Sequence, residues 1–202
     1  MLGFSQLLRT EAQVSRLASD NAGEIERAGR HLLSLVDDLI ELGGVEAGQF
    51  ELSMAPVAVE TVINESLSMV APLAANQGIR VVFEGGDARH ALVSADAVRL
   101  RQIIINLLSN AIKYNRPDGS VRVSCAHRGV SDHAGRNLVR IAVSDTGTGI
   151  DPALAGRVFT AFERLGAERG HIEGTGIGLA ISRRLVDAMG GTMGFDSRVR
   201  EG

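Results

Sequence analysis

The chain has 202 residues, 45% of them hydrophobic and 22% charged, with a formal net charge of −3, which suits one well-buried soluble domain plus a smaller unit. Without a basic excess there is no footprint for nucleic acid or an anionic membrane, and no nucleic-acid partner is expected. Cys125 is the only cysteine, which excludes an internal disulfide and a cysteine zinc site, and with no membrane-length apolar run or signal peptide the expected setting of this portion is reducing and cytoplasmic.

In chain order, Met1–Thr10 reads as the end of a helix with an apolar face at Leu2, Phe4, Leu7 and Leu8, and nothing helix-like precedes it. A second helix is predicted from Gly23 to about Glu46, where Ile25, Leu32, Leu35 or Val36, Leu39 and Leu42 recur at near-heptad spacing. Gly43-Gly44 weakens its end and Gly48 closes it. Two such helices cannot bury their apolar faces alone, and pairing with a second copy into a four-helix bundle solves that.

After Gly48 the texture changes. Phe50–Met54 alternates as a strand does, and Pro56 breaks it; Val59–Ala75 reads as a helix stopped by Gly78. Ile79–Glu84 and Ala91–Ser94 are short strands, and a helix follows over about Ala97–Asn115, bounded by Pro117-Asp-Gly. Ser120–His127 and Leu138–Ser144 are predicted strands around a polar loop, and Cys125 falls on the inward positions of the first. Only short helical pieces are predicted over Ile150–Glu173, then a clear helix over 176–189 capped by Gly190-Gly191, then a last strand beginning at Thr192–Phe195. The tally from about residue 50 is an α+β arrangement, with helices on one face of a largely antiparallel sheet.

Three clusters carry chemistry. On the 97–115 helix, Ile104, Leu107, Leu108, Ala111 and Ile112 form a broad apolar face, while Gln102, Asn106, Asn110 and Lys113 share one polar stripe. Such groups on a core helix need partners, supplied either by a neighbouring loop or by a ligand bearing oxygens and a hard cation. Asp145-Thr-Gly147-Thr-Gly149 follows a strand. It is a tight turn, or a loop that lets a flat ring approach the backbone while the carboxylate accepts the exocyclic N–H of adenine, where guanine would present a carbonyl. Gly174-Thr-Gly176-Ile-Gly178-Leu179 opens a helix, whose free N–H groups and dipole attract phosphate. It is neither the dinucleotide fingerprint, since no strand leads into it, nor a P-loop, since no Gly-Lys-Ser/Thr follows.

These residues resemble a known family. Asn106-Leu-Leu-Ser-Asn110-Ala-Ile-Lys113-Tyr114 is similar to the N box of sensor histidine kinases, and Asp145-Thr-Gly147-Thr-Gly149 to their first glycine box. Phe159-Thr-Ala-Phe162-Glu-Arg164 resembles the F box and Gly174-Thr-Gly176-Ile-Gly178-Leu179 the second glycine box, with order and spacing also matching. His31-Leu-Leu-Ser-Leu-Val-Asp-Asp-Leu-Ile and Val45-Glu-Ala-Gly48 resemble the second helix of the dimerisation hairpin, and Gly3-Phe-Ser-Gln-Leu-Leu the stretch after the phospho-acceptor motif.

The resemblance implies a helical hairpin over 1–50, a four-helix bundle on dimerisation, then a two-layer α/β sandwich of the Bergerat (GHKL) type over 51–202 that binds ATP and Mg²⁺. It implies that Asn110 binds Mg²⁺, that Asn106 lines the same site, and that Lys113 and Tyr114 face phosphates or ribose. Asp145 would read the adenine amino group in a pocket shaped by Gly147 and Gly149. Gly174, Gly176 and Gly178, with Leu179 beside them, would anchor a lid over about Asp151–Glu173, and Arg164 would approach the γ-phosphate. The implied activity is transfer of the γ-phosphate to a histidine and relay to a response-regulator aspartate. The implied partners are a homodimer mate, a receiver domain and an upstream sensor domain.

Two departures matter. Related ATPases of the superfamily carry a Glu general base where Asn106 stands, and an amide cannot take a proton, which favours transfer to a protein nucleophile over efficient hydrolysis. The family's acceptor His is expected about eleven residues before Gly3, upstream of Met1, so this chain lacks it. His31 is followed by Leu32 and Leu33 rather than a carboxylate, and His90, His127, His133 and His171 have no metal-ligand spacing; all five read as packing or surface. The C-terminus is expected to precede the family's last strand. Other readings are a catalytically degenerate, ATP-binding dimeric scaffold and an anti-sigma-type serine kinase, the latter at odds with the helical prefix.

Overall fold

Helix α1, Arg16–Glu46, runs 31 residues, starting ahead of the predicted Gly23 and passing through Gly43-Gly44, where a β-carbon would meet nothing within 4 Å. Glu24–Arg27 and Glu26–Arg30 pairs at helical spacing support it. In this computed structural model the described residues are 16–46, 51–128, 138–163 and 174–202. The predicted helix over 1–10, and with it the hairpin, lies outside them.

The predicted strand at Phe50–Met54 is corrected: strand β1 is Ala55–Ala58 and includes Pro56. Proline is tolerated because, among the described residues, β1 pairs only with strand β3, Leu92–Ala95, so one edge of β1 needs no ladder donor. The pair is antiparallel, Pro56 opposite Ser94 and Val57 opposite Val93, and Val57 points into the core. Helix α2, Val59–Gln77, follows at once and accommodates Pro72. Gly78 ends it in the left-handed region, at φ 66°, its N–H turned back to the carbonyls of Ala74 and Ala75.

Strand β2, Arg80–Gly85, runs parallel to strand β4, Ser120–Arg128, and β4 pairs antiparallel with strand β5, Leu138–Asp145. Between β3 and β4 lies helix α3, Ala97–Lys113. Its N-cap is Asp96, whose carboxylate accepts from the backbone N–H groups of Val98, Arg99 and Ser53 at 3.0, 3.1 and 3.0 Å. A short 3-10 turn, Pro152–Arg157, and helix α4, Gly178–Ala188, complete the regular elements.

Helices α2 and α3 pack on one face of the sheets around Ile63, Ile104, Leu108, Ile112, Val121 and Val123, all 1% exposed or less. Cys125 belongs to this core, and burial pushes its thiol up. The single apolar face predicted for α3 is in fact two. Ile104, Leu108 and Ile112 meet the sheet, while Ile103, with Leu107, packs on Ile177, Ile181 and Leu185 of the α4 region, where Leu35 of α1 also docks. The polar stripe of α3 runs between these contacts, which sets the site at the seam of α3 and α4.

The last strand expected at Thr192–Phe195 does not form among the described residues. Gly191 and Gly194 weaken the run and no strand pairs with it. Side-chain contact holds it instead, through the Phe195 ring set edge-on to Phe159 at 5.9 Å. No helix among the described residues is long and apolar enough to cross a membrane.

Candidate functional site

The site begins where α3 ends. Asn115, just past the helix, donates to the carbonyls of Ala111 at 2.9 Å and Ser120 at 3.2 Å. Its Oδ1 accepts from the Thr146 hydroxyl at 3.0 Å, and that hydroxyl accepts the Ser120 N–H at 2.9 Å. Helix end, strand start and the loop after β5 are thereby tied at one point. The loop then crosses over Tyr114, whose carbonyl accepts from Thr148 N–H at 3.2 Å. A β-carbon on Gly147 would stand 2.5 Å from that same carbonyl oxygen, so only glycine permits the crossing.

Asp145 is fixed by this loop. Its Oδ1 accepts from Gly147 N–H at 2.8 Å, an Asx turn that leaves Oδ2 available to a ligand N–H. The far side of the loop is braced by residues 197–202. Ser197 Oγ accepts from Ile150 N–H at 2.9 Å and donates to the Gly202 carbonyl at 3.0 Å, while Arg200 N–H reaches the Thr148 carbonyl at 2.8 Å. Gly149 sits at φ 65°, and a β-carbon there would fall 2.1 Å from the Arg198 carbonyl oxygen. The tight-turn reading of Asp145-Thr-Gly-Thr-Gly holds, and the turn fixes the carboxylate.

The second wall is the start of α4. Ile181 N–H is bonded to the Ile177 carbonyl, so the N–H groups of Gly178, Leu179 and Ala180 precede the first intrahelical donor and stand free of the helix ladder. Gly176, at φ 73°, accepts from Phe162 N–H at 3.0 Å, which fastens the F-box segment to the glycine segment. The Arg183 guanidinium lies 4.8 Å from the Phe159 ring centre and strengthens the same junction.

The stripe on α3 faces this wall. At one end Asn106 Nδ2 donates to Ser182 Oγ of α4 at 2.9 Å. At the other, the Tyr114 hydroxyl lies 3.9 Å from where a β-carbon of Gly174 would be. Asn110 and Lys113 lie between these on the same partly buried stripe, and neither side chain has a hydrogen-bond or ion-pair partner among the described residues. No three His, Cys, Asp or Glu side chains converge among the described residues. The donor set therefore fits a hard cation only if a ligand supplies most of the oxygens, Asn110 adding its carbonyl, and Lys113 fits an anion.

A groove of about 480 Å³ adjoins the stripe on the α2 side, lined by Met69, Gln102, Asn106, Ser109, Gly178 and Ser182 among others. The structure thus sets Asn106 against Gly178 and Ser182, Tyr114 against Gly147 and near Gly174, Asp145 against Gly147, and Gly149 against Arg198, with Asn110 and Lys113 on the same helix as Asn106, Gly176 bonded to Phe162, and Leu179 in the first turn of α4. Arg164 and residues 164–173 of the expected lid lie outside the described residues, as does the side chain of His31. Sequence reasoning missed Ser182, Ser197, Thr146 and Asn115. Asn115 follows directly on the motif-bearing helix and Thr146 lies inside a glycine box, so adjacency was a usable signal for those two.

Residues 95–202 match the family model described as Histidine kinase-, DNA gyrase B-, and HSP90-like ATPase. The chain is 34% identical over 206 residues to the sensor protein GacS of Pseudomonas syringae pv. syringae, covering 100% of this chain and 22% of GacS. It is 31% identical over 205 residues to the signal transduction histidine-protein kinase BarA of Escherichia coli K12, covering 100% of this chain and 22% of BarA. Against the virulence sensor protein BvgS of Bordetella pertussis it is 36% identical over 195 residues, 96% of this chain and 15% of BvgS. The chain therefore spans a minor part of these relatives. Among solved structures it is similar to full-length ShkA in complex with AMPPNP, with a TM-score of 0.75 at 33% identity, covering 98% of this chain and 39% of ShkA. It shares the fold of histidine kinase ThkA, solved with the response regulator protein TrrA, with a TM-score of 0.64 at 20% identity, covering 94% of this chain and 50% of that one.

Proposed function

This chain belongs to the histidine kinase-, DNA gyrase B-, and HSP90-like ATPase family, and from that premise we propose that it is the ATP-binding kinase core of a two-component sensor. The observation that carries the reading is the seam itself. A carboxylate held by its own loop, a polar helical stripe and a glycine-bearing helix N-terminus meet within one domain, and the similarity to ShkA, solved with AMPPNP, extends over nearly the whole chain.

In this reading Asp145 Oδ2 accepts the adenine amino proton, while Gly147 and Gly149 let the base lie against backbone. Tyr114 and Lys113 face ribose and phosphates, and the free N–H groups of Gly178, Leu179 and Ala180 receive phosphate oxygens. Asn110 would hold Mg²⁺ through its carbonyl; when bound, that ion neutralises phosphate charge. By the resemblance, Gly174, Gly176 and Gly178 would anchor the expected lid, and Arg164, outside the described residues, would approach the γ-phosphate. Asn106 cannot accept a proton from water, so the site favours transfer to a histidine on a dimerisation helix over hydrolysis. Positioning and charge neutralisation carry most of phosphoryl-transfer catalysis, and these residues supply both. A receiver-domain aspartate takes the phosphoryl group next, an upstream sensor domain sets the rate, and the helical hairpin makes the homodimer.

The test is selective stabilisation. ATP with Mg²⁺ raises the melting temperature, GTP does so much less, and Asp145→Asn narrows the difference. Equal stabilisation by ATP and GTP in the unmodified protein overturns the assignment.

A further inference from the structure

Asn106 is placed in this site by its motif, yet neither end of its carboxamide is loose. Nδ2 donates to Ser182 Oγ at 2.9 Å, across 76 positions of sequence. A β-carbon on Gly178 would lie 2.4 Å from Oδ1, 3.0 Å from Cγ and 3.1 Å from Nδ2. Gly178 and Ser182 are one turn apart on α4, so the carboxamide lies across a single turn of that helix, with glycine making room for it and serine holding it. Ser182 is 3% exposed, so its hydroxyl is shielded from water, and the carboxamide N–H it receives would otherwise lose its partner.

We infer that Ser182 is a positioning residue for nucleotide binding. It sets the orientation of the Asn106 carboxamide and, through it, the seat of the α4 N-terminus on α3. The free N–H groups of Gly178, Leu179 and Ala180 begin at this contact, so a shift of the carboxamide moves the donors that receive phosphate. The adenine end is built separately, from Asp145, Tyr114 and residues 197–202, and shares no hydrogen bond with Ser182 among the described residues. Ser182 therefore governs the phosphate end and leaves the base end alone. This rests on the ATP-binding reading above.

The experiment measures affinity for AMP and for ATP with Mg²⁺, by calorimetry on the full chain, in the unmodified protein, Ser182→Ala, Asn106→Ala and the double variant. Alanine is a good helix former, so α4 is expected to persist, and circular dichroism checks it. Ser182→Ala is expected to weaken ATP binding about tenfold while changing AMP binding less than about twofold. In the Asn106→Ala background the same substitution is expected to change neither, because Ser182 acts through Asn106. Ser182→Thr keeps the hydroxyl and is expected to restore ATP affinity; if Ser182→Ala does not fold, the ratio of ATP to AMP affinity in Asn106→Ala against Ser182→Thr decides the matter, a preserved ratio in both overturning the inference. Equal losses for ATP and AMP in Ser182→Ala, or additive effects in the double variant, overturn it by showing a purely structural staple. Failure of the unmodified chain to bind ATP overturns the functional reading and this inference together, whereas ATP binding with a ratio unaltered by Ser182→Ala overturns the inference alone.

Discussion

Asp96 never touches a ligand in this reading, yet it orients the helix that does. Its carboxylate caps α3 through Val98 and Arg99 and also takes the N–H of Ser53, joining the entry segment to the helix start. The N–H of Arg99, with those of Ser53 and Val98, holds the carboxyl below its ordinary range against the opposing effect of burial. The native state therefore binds this proton more weakly than the unfolded chain does. The stabilisation is complete above the unfolded value, about pH 4, and is lost as pH falls through the lower folded value. Asp96→Ala is expected to cost about 1–2 kcal/mol at pH 7 in urea unfolding. Asp96→Asn keeps an acceptor but not the charge, so its deficit relative to the unmodified protein should be present at neutral pH and shrink in acid. A deficit independent of pH would remove the carboxylate's charge from this account.

At the scale of elements, α1 carries more apolar surface than its neighbours cover. Leu35 docks on the α4 cluster, but Leu32 is 63% exposed and Leu39 48%, with Ile25, Val36 and Ile40 also exposed. Such a stripe supports the proposed pairing of this helix with another chain. Sedimentation is expected to show association that rises with concentration and disappears in Leu32→Asp and Leu39→Asp, with the melting temperature little changed. Leu35→Asp should weaken both association and the hold of α1 on α4. A monomer at every concentration would contradict the pairing. The elements also show what was readable in advance. Helices α2, α3 and α4 were legible because their apolar spacing and terminal glycines are local signals. Strand β1 was misplaced because Pro56 looks like a breaker until its free edge is known, and Thr192–Phe195 looked like a strand because alternation says nothing about whether a partner strand exists.

For the molecule as a whole, the candidate site was readable where chemistry demands residue types at short spacing, as in the α3 stripe and both glycine boxes. It was unreadable where support comes from afar. Ser182 meets Asn106 across 76 positions, Ser197 meets Ile150 across 47, and Thr146 meets Asn115 across 31, and no local pattern encodes such pairs. The proposed activity also depends on an acceptor histidine followed directly by an acid; His90 pairs with Glu60 at 2.9 Å, but Ala91 follows it. None of its five histidines is followed by a carboxylate residue, so γ-labelled ATP is expected to leave the chain itself unlabelled. A separate hairpin bearing an acceptor histidine should take up an acid-labile, base-stable label, and Asn110→Ala should abolish that transfer. Labelling of the chain alone, removed by His31→Gln, would contradict this. The brace made by residues 197–202 has a further consequence for how the domain comes into being. A ribosome releases Asp145 and its loop well before Ser197 and Gly202, so the loop waits for the later-made segment to close on it. In the proposed reading, nucleotide capture follows the closing of this brace: ATP rewards a domain already assembled and cannot serve as a template for assembling it.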